Sequence, residues 1–367
     1  MIDRRDWMAR LAAAIAAGPL PSGKFIGIVP FVGEGTAPMD VVVDRELDGR
    51  LYTDLSKLRY GQSVTPTEIF YIRTRASLLL PLPAQWRLRL DDGDSILENS
   101  TGRLIARSMP MGVHVMECSG NSRGARFGML SAAHWEGTLI QELLEYGLWK
   151  TRSELILVSG FDSYKGLSTS SIPGASWIFS ARDLLSSGAF LATRMNGESL
   201  SKDHGAPLRL VVPGWYGCYC IKWVNKISFV PPSARATAQM VEYASRTHQA
   251  GVPAKAIDFA PAKVDSAAIP IRVERWLVRG GVVHRVFGLA WGGDAPVRTL
   301  VIRFEPENQT YTIKNLQSPV QGAWQFWTFE WKPKYHTRYD IFLTVKEPQC
   351  RTRRLDLKYY RRSVIIE

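Results

Sequence analysis

The chain has 367 residues, 46% hydrophobic and 22% charged, which describes an ordinary globular protein long enough for two domains with separate cores. A net charge of +12 favours anionic substrates or acidic partners. The basic residues are dispersed and form no zinc-finger, basic-zipper or RNA-binding signature, so no nucleic acid is expected; no stretch reaches the roughly 18 apolar residues of a membrane helix, so no transmembrane segment is expected either.

In chain order, Asp3-Arg4-Arg5-Asp6-Trp7-Met8 and the Ala-rich apolar run 11–17 read as a twin-arginine export signal over residues 1–24, with small residues near 16–19 where a peptidase would cut. The competing reading is an amphipathic surface helix, because the apolar run is short. Export from a Gram-negative cell implies a periplasmic protein.

Residues 25–262 carry mixed signals. Runs 86–90, 155–158 and 208–212 are strand-like, whereas in 137–148 Leu139, Ile140, Leu143, Leu144 and Leu148 recur at helical spacing beside Glu142 and Glu145. An α+β domain is predicted. From 263 to 367 the pattern changes to short β-branched and aromatic runs at 271–277, 282–290, 297–304, 324–331 and 339–345, separated by Gly281, Gly292-Gly293, Pro306 and Pro333. Such spacing predicts an all-β sandwich. The basic tail, Arg351-Thr352-Arg353-Arg354 and Lys358-Tyr359-Tyr360-Arg361-Arg362, reads as a solvated edge strand whose charge discourages further pairing.

The chemistry-bearing segment of the first domain is His114-Val115-Met116-Glu117-Cys118-Ser119-Gly120-Asn121-Ser122-Arg123. A strand end followed by a Gly-containing loop exposes a sulfur, and the guanidinium of Arg123 favours thiolate and holds an anion. The alternative is a buried Cys acting as a small hydrophobe. Of the four cysteines, Cys350 stands alone, and Cys218-Tyr219-Cys220 has neither a zinc-knuckle gap nor a haem-attachment motif. On a strand its two thiols would share one face, as packed thiols rather than a disulfide.

A second segment, Asp203-His204-Gly205-Ala206-Pro207-Leu208-Arg209 with Ile221-Lys222-Trp223, follows in order. Together the two segments resemble the sulfite oxidase family of molybdenum enzymes, from about residue 65 onward. The resemblance implies an α+β sulfite-oxidase-type molybdopterin-binding domain followed by an immunoglobulin-like dimerisation domain, and hence a homodimer. It makes Cys118 the protein ligand to molybdenum. It also implies a pyranopterin cofactor held by Arg73, Arg75 (where the family has His), Asp162, His204, Arg209, Cys220, Ile221 and Lys222. A pterin edge of donors and acceptors ending in a phosphate suits those groups, because Asp162 accepts while Arg209 and Lys222 donate charge-assisted bonds.

Two departures bear on the substrate. In Ala192-Thr193-Arg194-Met195-Asn196-Gly197, Thr193 stands where the family has its Tyr at the oxo ligands, and Trp291-Gly292-Gly293-Asp294 has an acid where the family has Arg. Arg123, Arg73 and Arg194 remain to bind a small oxyanion. The expected activity is two-electron oxygen-atom transfer, with electrons passed to an external carrier, a c-type cytochrome, since no haem is encoded. Thr193 also fits the reverse chemistry, reduction of a sulfoxide or another S- or N-oxo compound. A third reading is an exported β-rich binding protein without metal.

Overall fold

The structure is a computed structural model that describes residues 23–34, 40–42, 49–76, 79–91, 96–146, 154–161, 175–247, 249–314, 316–318, 320–347 and 351–367. Residues 1–22 of the expected signal, Leu148, Asp162 and Cys350 lie outside the described residues. The chain forms two compact units, one of Pro38–Thr53 with Val64–Val264, the other of Met1–Ala37, Asp54–Ser63 and Asp265–Glu367. The expected boundary at 262/263 thus falls at 264/265, and two segments read with the first domain group with the second. The strand Gly23–Val29 explains one, because it pairs antiparallel with Ala267–Val278. Tyr60 explains the other, with its ring 6.0 Å from Phe287 and 5.5 Å from Phe326.

The first unit holds two five-stranded sheets. One runs in the order Glu198–Ser199, Phe190–Met195, Leu130–Leu139, Met109–Glu117, with Arg209–Val211 also paired to Phe190–Met195. The other runs Ile96–Ser100, Arg87–Asp91, Val224–Val230, Leu155–Gly160, Ser176–Ser180, with a parallel pairing between Arg87–Asp91 and Val224–Val230. The expected helix at 137 starts later, as Ile140–Tyr146, because Leu130–Leu139 is committed to strand pairing on both sides. Gly137 permits that pairing: a Cβ there would stand 2.2 Å from the Leu191 carbonyl oxygen. The helical spacing still reports burial, since Ile140, Leu143 and Leu144 are all core residues. Phe70, stacked on Tyr71 and edge-on to Trp135, anchors the core beneath the first sheet.

The second unit consists of two four-stranded antiparallel sheets. Trp331 of one stacks on Phe304 of the other at 4.2 Å and meets Tyr339 edge-on at 4.7 Å. The five runs of alternating residues all lie on strands. Gln309–Lys314 was not foreseen because its Gln, Thr and Tyr residues leave only Ile313 buried, so the apolar alternation is faint. The basic tail departs from expectation. Arg353–Asp356 is helical, and Arg362, which opens the strand Arg362–Ile365, is 4% exposed in a bidentate pair with Glu34 at 2.7 and 2.8 Å. Its third bond, 2.6 Å to the Pro270 carbonyl, completes a buried and satisfied cation instead of a solvated edge. Among the described residues no helix is long and apolar enough to cross a membrane.

Candidate active site

The strand Met109–Glu117 delivers Cys118 to a pinned turn. Cys118 N donates to Met129 O at 3.0 Å, Asn121 N to Cys118 O at 2.9 Å, and Gly120 N to Cys118 Sγ at 3.4 Å. Asn121, itself buried, clamps the loop by accepting from Met129 N at 3.1 Å and donating to Glu117 Oε1 at 3.3 Å. The thiol is therefore held by backbone and has few alternative positions.

It lies on a solvent-open cleft whose walls include Arg73, Asp203, Arg209, Cys220, Ile221 and Lys222. Arg209 is buried, donates from Nη1 to His204 O at 3.1 Å and from Nη2 to Met116 Sδ at 2.8 Å, and packs 5.7 Å over Trp135. Its Nε has no partner, and no carboxylate of the described residues pairs with it. Burial lowers its pKa, opposed by Cys220 and Tyr71. Lys222 Nζ donates to the carbonyls of Thr74 and, at 2.8 Å, Asp203, and sits 4.6 Å over Trp223. Gly205, at φ +108°, lets the two cations' chains close together, because a Cβ there would lie 3.1 Å from Arg209 Cβ and Lys222 Cβ.

Other expected site residues stand elsewhere. His204 does not line the cleft: its ring is buried against Ser201 Oγ at 2.8 Å and Phe70 O at 3.3 Å. Burial, then the charge of Arg209, lowers its pKa to about 4, so it is neutral and acts through its carbonyl on Arg209. Arg75 is also behind the wall, in a 3.1 Å ion pair that fixes Asp203. Arg123 sits in the 3-10 turn Arg123–Ala125 and is not a lining residue.

Thr193 is displaced furthest. It falls between Ala192 and Arg194, which pair with Gly137 and Glu136, and Gly137 in turn pairs with Met109, at the end of its strand remote from Cys118. At about 3.3 Å per residue that separates Thr193 from Cys118 by roughly 25 Å. Its hydroxyl bonds Ser108 Oγ at 2.6 Å, and Arg194 pairs with Glu136 at 3.3 Å. Neither residue belongs to the substrate pocket, because the register of this sheet runs them to its other end.

The cleft does hold two phenols, that of Tyr71 and that of Tyr243, the latter at the end of the helix Ala238–Tyr243, together with Glu242. Thr237 caps the helix by accepting from Met240 N at 3.2 Å, the one local sign of it in the sequence. Burial and then Cys118 raise the Tyr243 pKa to about 12, against the opposing charges of Arg73 and Arg246, so the proton stays on oxygen at neutral pH. Arg246 lies 5.5 Å over the Tyr243 ring and 3.5 Å from Glu242. Cys218 and Cys220 are free, buried thiols on the same cleft, carried by the 3-10 turn Gly217–Tyr219 and the residue after it instead of by a strand. Burial raises the pKa of both.

Residues 77–237, which include Cys118, Arg209 and Lys222, match the family described as oxidoreductase molybdopterin binding domain. Sulfite oxidase of Gallus gallus is 28% identical over 199 residues, 49% of this chain and 42% of that protein. Mitochondrial sulfite oxidase of Homo sapiens is 26% identical over 290 residues, 72% of this chain and 52% of that protein. The chain is similar in sequence to the sulfite oxidases, and spans about half the length of these relatives. In fold it resembles the sulfane dehydrogenase SoxCD of Paracoccus pantotrophus, with a TM-score of 0.64 at 16% identity over 88% of this chain and 80% of that one.

The residues present fit the family's cofactor. A buried guanidinium with an unpartnered Nε on the cleft wall calls for an anion such as a phosphate. No group of three or more His, Cys, Asp or Glu among the described residues could hold a metal, so a metal at Cys118 would take its other donors from a cofactor.

Proposed function

We propose that this chain is a molybdenum enzyme that oxidises a small sulfur oxyanion by two-electron oxygen-atom transfer and passes the electrons to an external c-type cytochrome. The observation that carries the reading is one cleft shared by the Cys118 thiol, the protonated Tyr243 phenol and the cations Arg73 and Arg209. When bound, the molybdenum cofactor supplies the redox change and the exchangeable oxygen. Cys118 is the protein ligand, Arg209 and Lys222 take the cofactor's phosphate, and Ile221 and Cys220 shape its seat. Arg73 attracts the substrate oxyanion, and Tyr243 donates a hydrogen bond to an oxygen that gains negative charge during the reaction. The protein's excess of positive charge suits an acidic carrier, whose docking would weaken with salt.

The reductase reading rested on Thr193 in place of a pocket Tyr, and Tyr243 on the cleft removes that support. The C-terminal unit, with its two antiparallel four-stranded sheets, is read as an immunoglobulin-like sandwich that joins two copies about a twofold axis. Export by the twin-arginine route to the periplasm completes the proposal. The deciding experiment measures molybdenum and pterin in the purified protein and compares sulfite oxidation with reduction of a panel of sulfoxides. Cys118→Ser should lose metal and turnover while keeping its circular dichroism spectrum; retained turnover would sink the assignment, and a wild type without molybdenum would favour the metal-free binding protein.

A further inference from the structure

The Cys118 sulfur is reached from two places. One is the cofactor cleft. The other is a gap beside Gly120, where an added Cβ would stand 3.9 Å from Cys118 Sγ and 3.6 Å from Arg246 Nη1 and, its chain neighbours aside, within 4 Å of no other described atom. The guanidinium and the sulfur thus face each other across a space one small group wide. Neither Gly120 nor Arg246 lines the cleft, so this space is separate from the wall of Arg209 and Lys222 that takes the cofactor's phosphate in the reading above.

Arg246 ends the 3-10 turn Ala244–Arg246, which follows directly on the helix Ala238–Tyr243. An arginine whose side chain is 43% exposed ordinarily reaches into solvent. Here the guanidinium lies 5.5 Å over the Tyr243 ring and brings Nη1 to the gap. Nη2 stands 3.5 Å from Glu242 Oε1, one helical turn back, and the guanidinium makes no hydrogen bond to a described residue. Its donors are open to a ligand. An exposed pair at this spacing is weak, so an arriving anion takes over the guanidinium at little cost. Arg73, on the cleft, and Arg246 both oppose the rise of the Tyr243 pKa, so two cations and a protonated phenol converge near one thiol.

We propose that Arg246 binds the substrate and selects for dianions, its guanidinium and that of Arg73 each holding an anionic oxygen, while Glu242 keeps Arg246 in place in the empty site. That the bound anion is a substrate rests on the oxidase activity proposed above. Two negative charges match two guanidinium groups, whereas a monoanion is held by one of them and gains less from the second.

The test uses the oxidised, molybdenum-loaded full chain and isothermal titration calorimetry at low ionic strength, where exposed charges are least screened. Sulfate is the probe, and perchlorate has the same tetrahedral shape with one charge fewer. Wild type should bind sulfate at least about tenfold tighter than perchlorate, and Arg246→Gln should weaken sulfate by about tenfold while perchlorate stays within about threefold. Glu242→Gln should tighten sulfate by about twofold. In steady-state sulfite oxidation Arg246→Gln should raise KM by about tenfold with kcat within about threefold, the pattern of a lost binding contact. Sulfate bound no tighter than perchlorate by wild type overturns the inference, and so does Arg246→Gln with sulfate unchanged or both anions weakened alike. The wild-type comparison decides even if a variant does not fold. Weaker sulfate binding in Glu242→Gln overturns the holding role of that carboxylate. Arg246-dependent sulfate binding in a protein that oxidises no sulfite upholds the anion site and overturns the oxidase reading instead.

Discussion

Arg209→Met separates what the buried cation does for the protein from what it does for the cofactor. Met has similar length and no charge, so the side chain's space stays filled. In the cofactor-free protein the variant loses the 3.1 Å bond to His204 O, the contact with Met116 Sδ and the ring contact with Trp135. Charge-assisted bonds are worth about 1.5–3 kcal/mol and a desolvated cation–π contact about 2 kcal/mol. Against this, the variant no longer buries an ion without a carboxylate, whose desolvation costs several kcal/mol. The opposing terms leave apoprotein stability within about 2 kcal/mol of wild type. The cofactor loses a charge-assisted phosphate contact of about 3 kcal/mol, which is roughly a hundredfold in affinity. Urea denaturation of loaded and apo forms reads both quantities: the loaded-minus-apo difference should shrink by about 3 kcal/mol in the variant. An unchanged difference, or an apoprotein crippled while metal content stays normal, would refute the phosphate role and make Arg209 a packing residue.

Tyr243→Phe removes only the hydroxyl and should lower kcat by about 10²-fold with molybdenum content unchanged, as steady-state kinetics and metal analysis together would reveal. Thr193→Val should leave kcat/KM within about twofold and cost about 1 kcal/mol of stability through the lost bond to Ser108, measurable by denaturant titration. The pH dependence follows from His204, whose folded pKa of about 4 is below the roughly 6.5 of an unfolded His. Because the unfolded state binds the proton first, this stabilisation is complete above pH about 6.5 and is lost as pH falls towards 4, amounting to about 3 kcal/mol. His284, buried and likewise lowered to about 4, acts in the same direction, so a urea midpoint that stays flat from pH about 7 to 4.5 would contradict both.

Residues contiguous in sequence were legible in it. The Cys118 loop, the run from His204 to Arg209 and Ile221-Lys222-Trp223 are short stretches in which side-chain chemistry and spacing suffice to suggest a metal thiolate and an anion-binding seat. The C-terminal strands were legible for a similar reason, since alternation between buried and exposed faces is a two-residue property. What only the tertiary structure decided depends on pairing between distant segments. Thr193 sits in a plausible motif, but strand register carries it to the far end of the sheet from Cys118. Tyr243 stands in an unremarkable helix that brings its phenol onto the cleft. The buried Arg362 joins Glu34 across 328 residues, and the strand Gly23–Val29 finds its partner at Ala267–Val278. Local pattern says which face of an element is buried. Which element covers that face, and which side chains then meet, is set by packing and register over the whole chain.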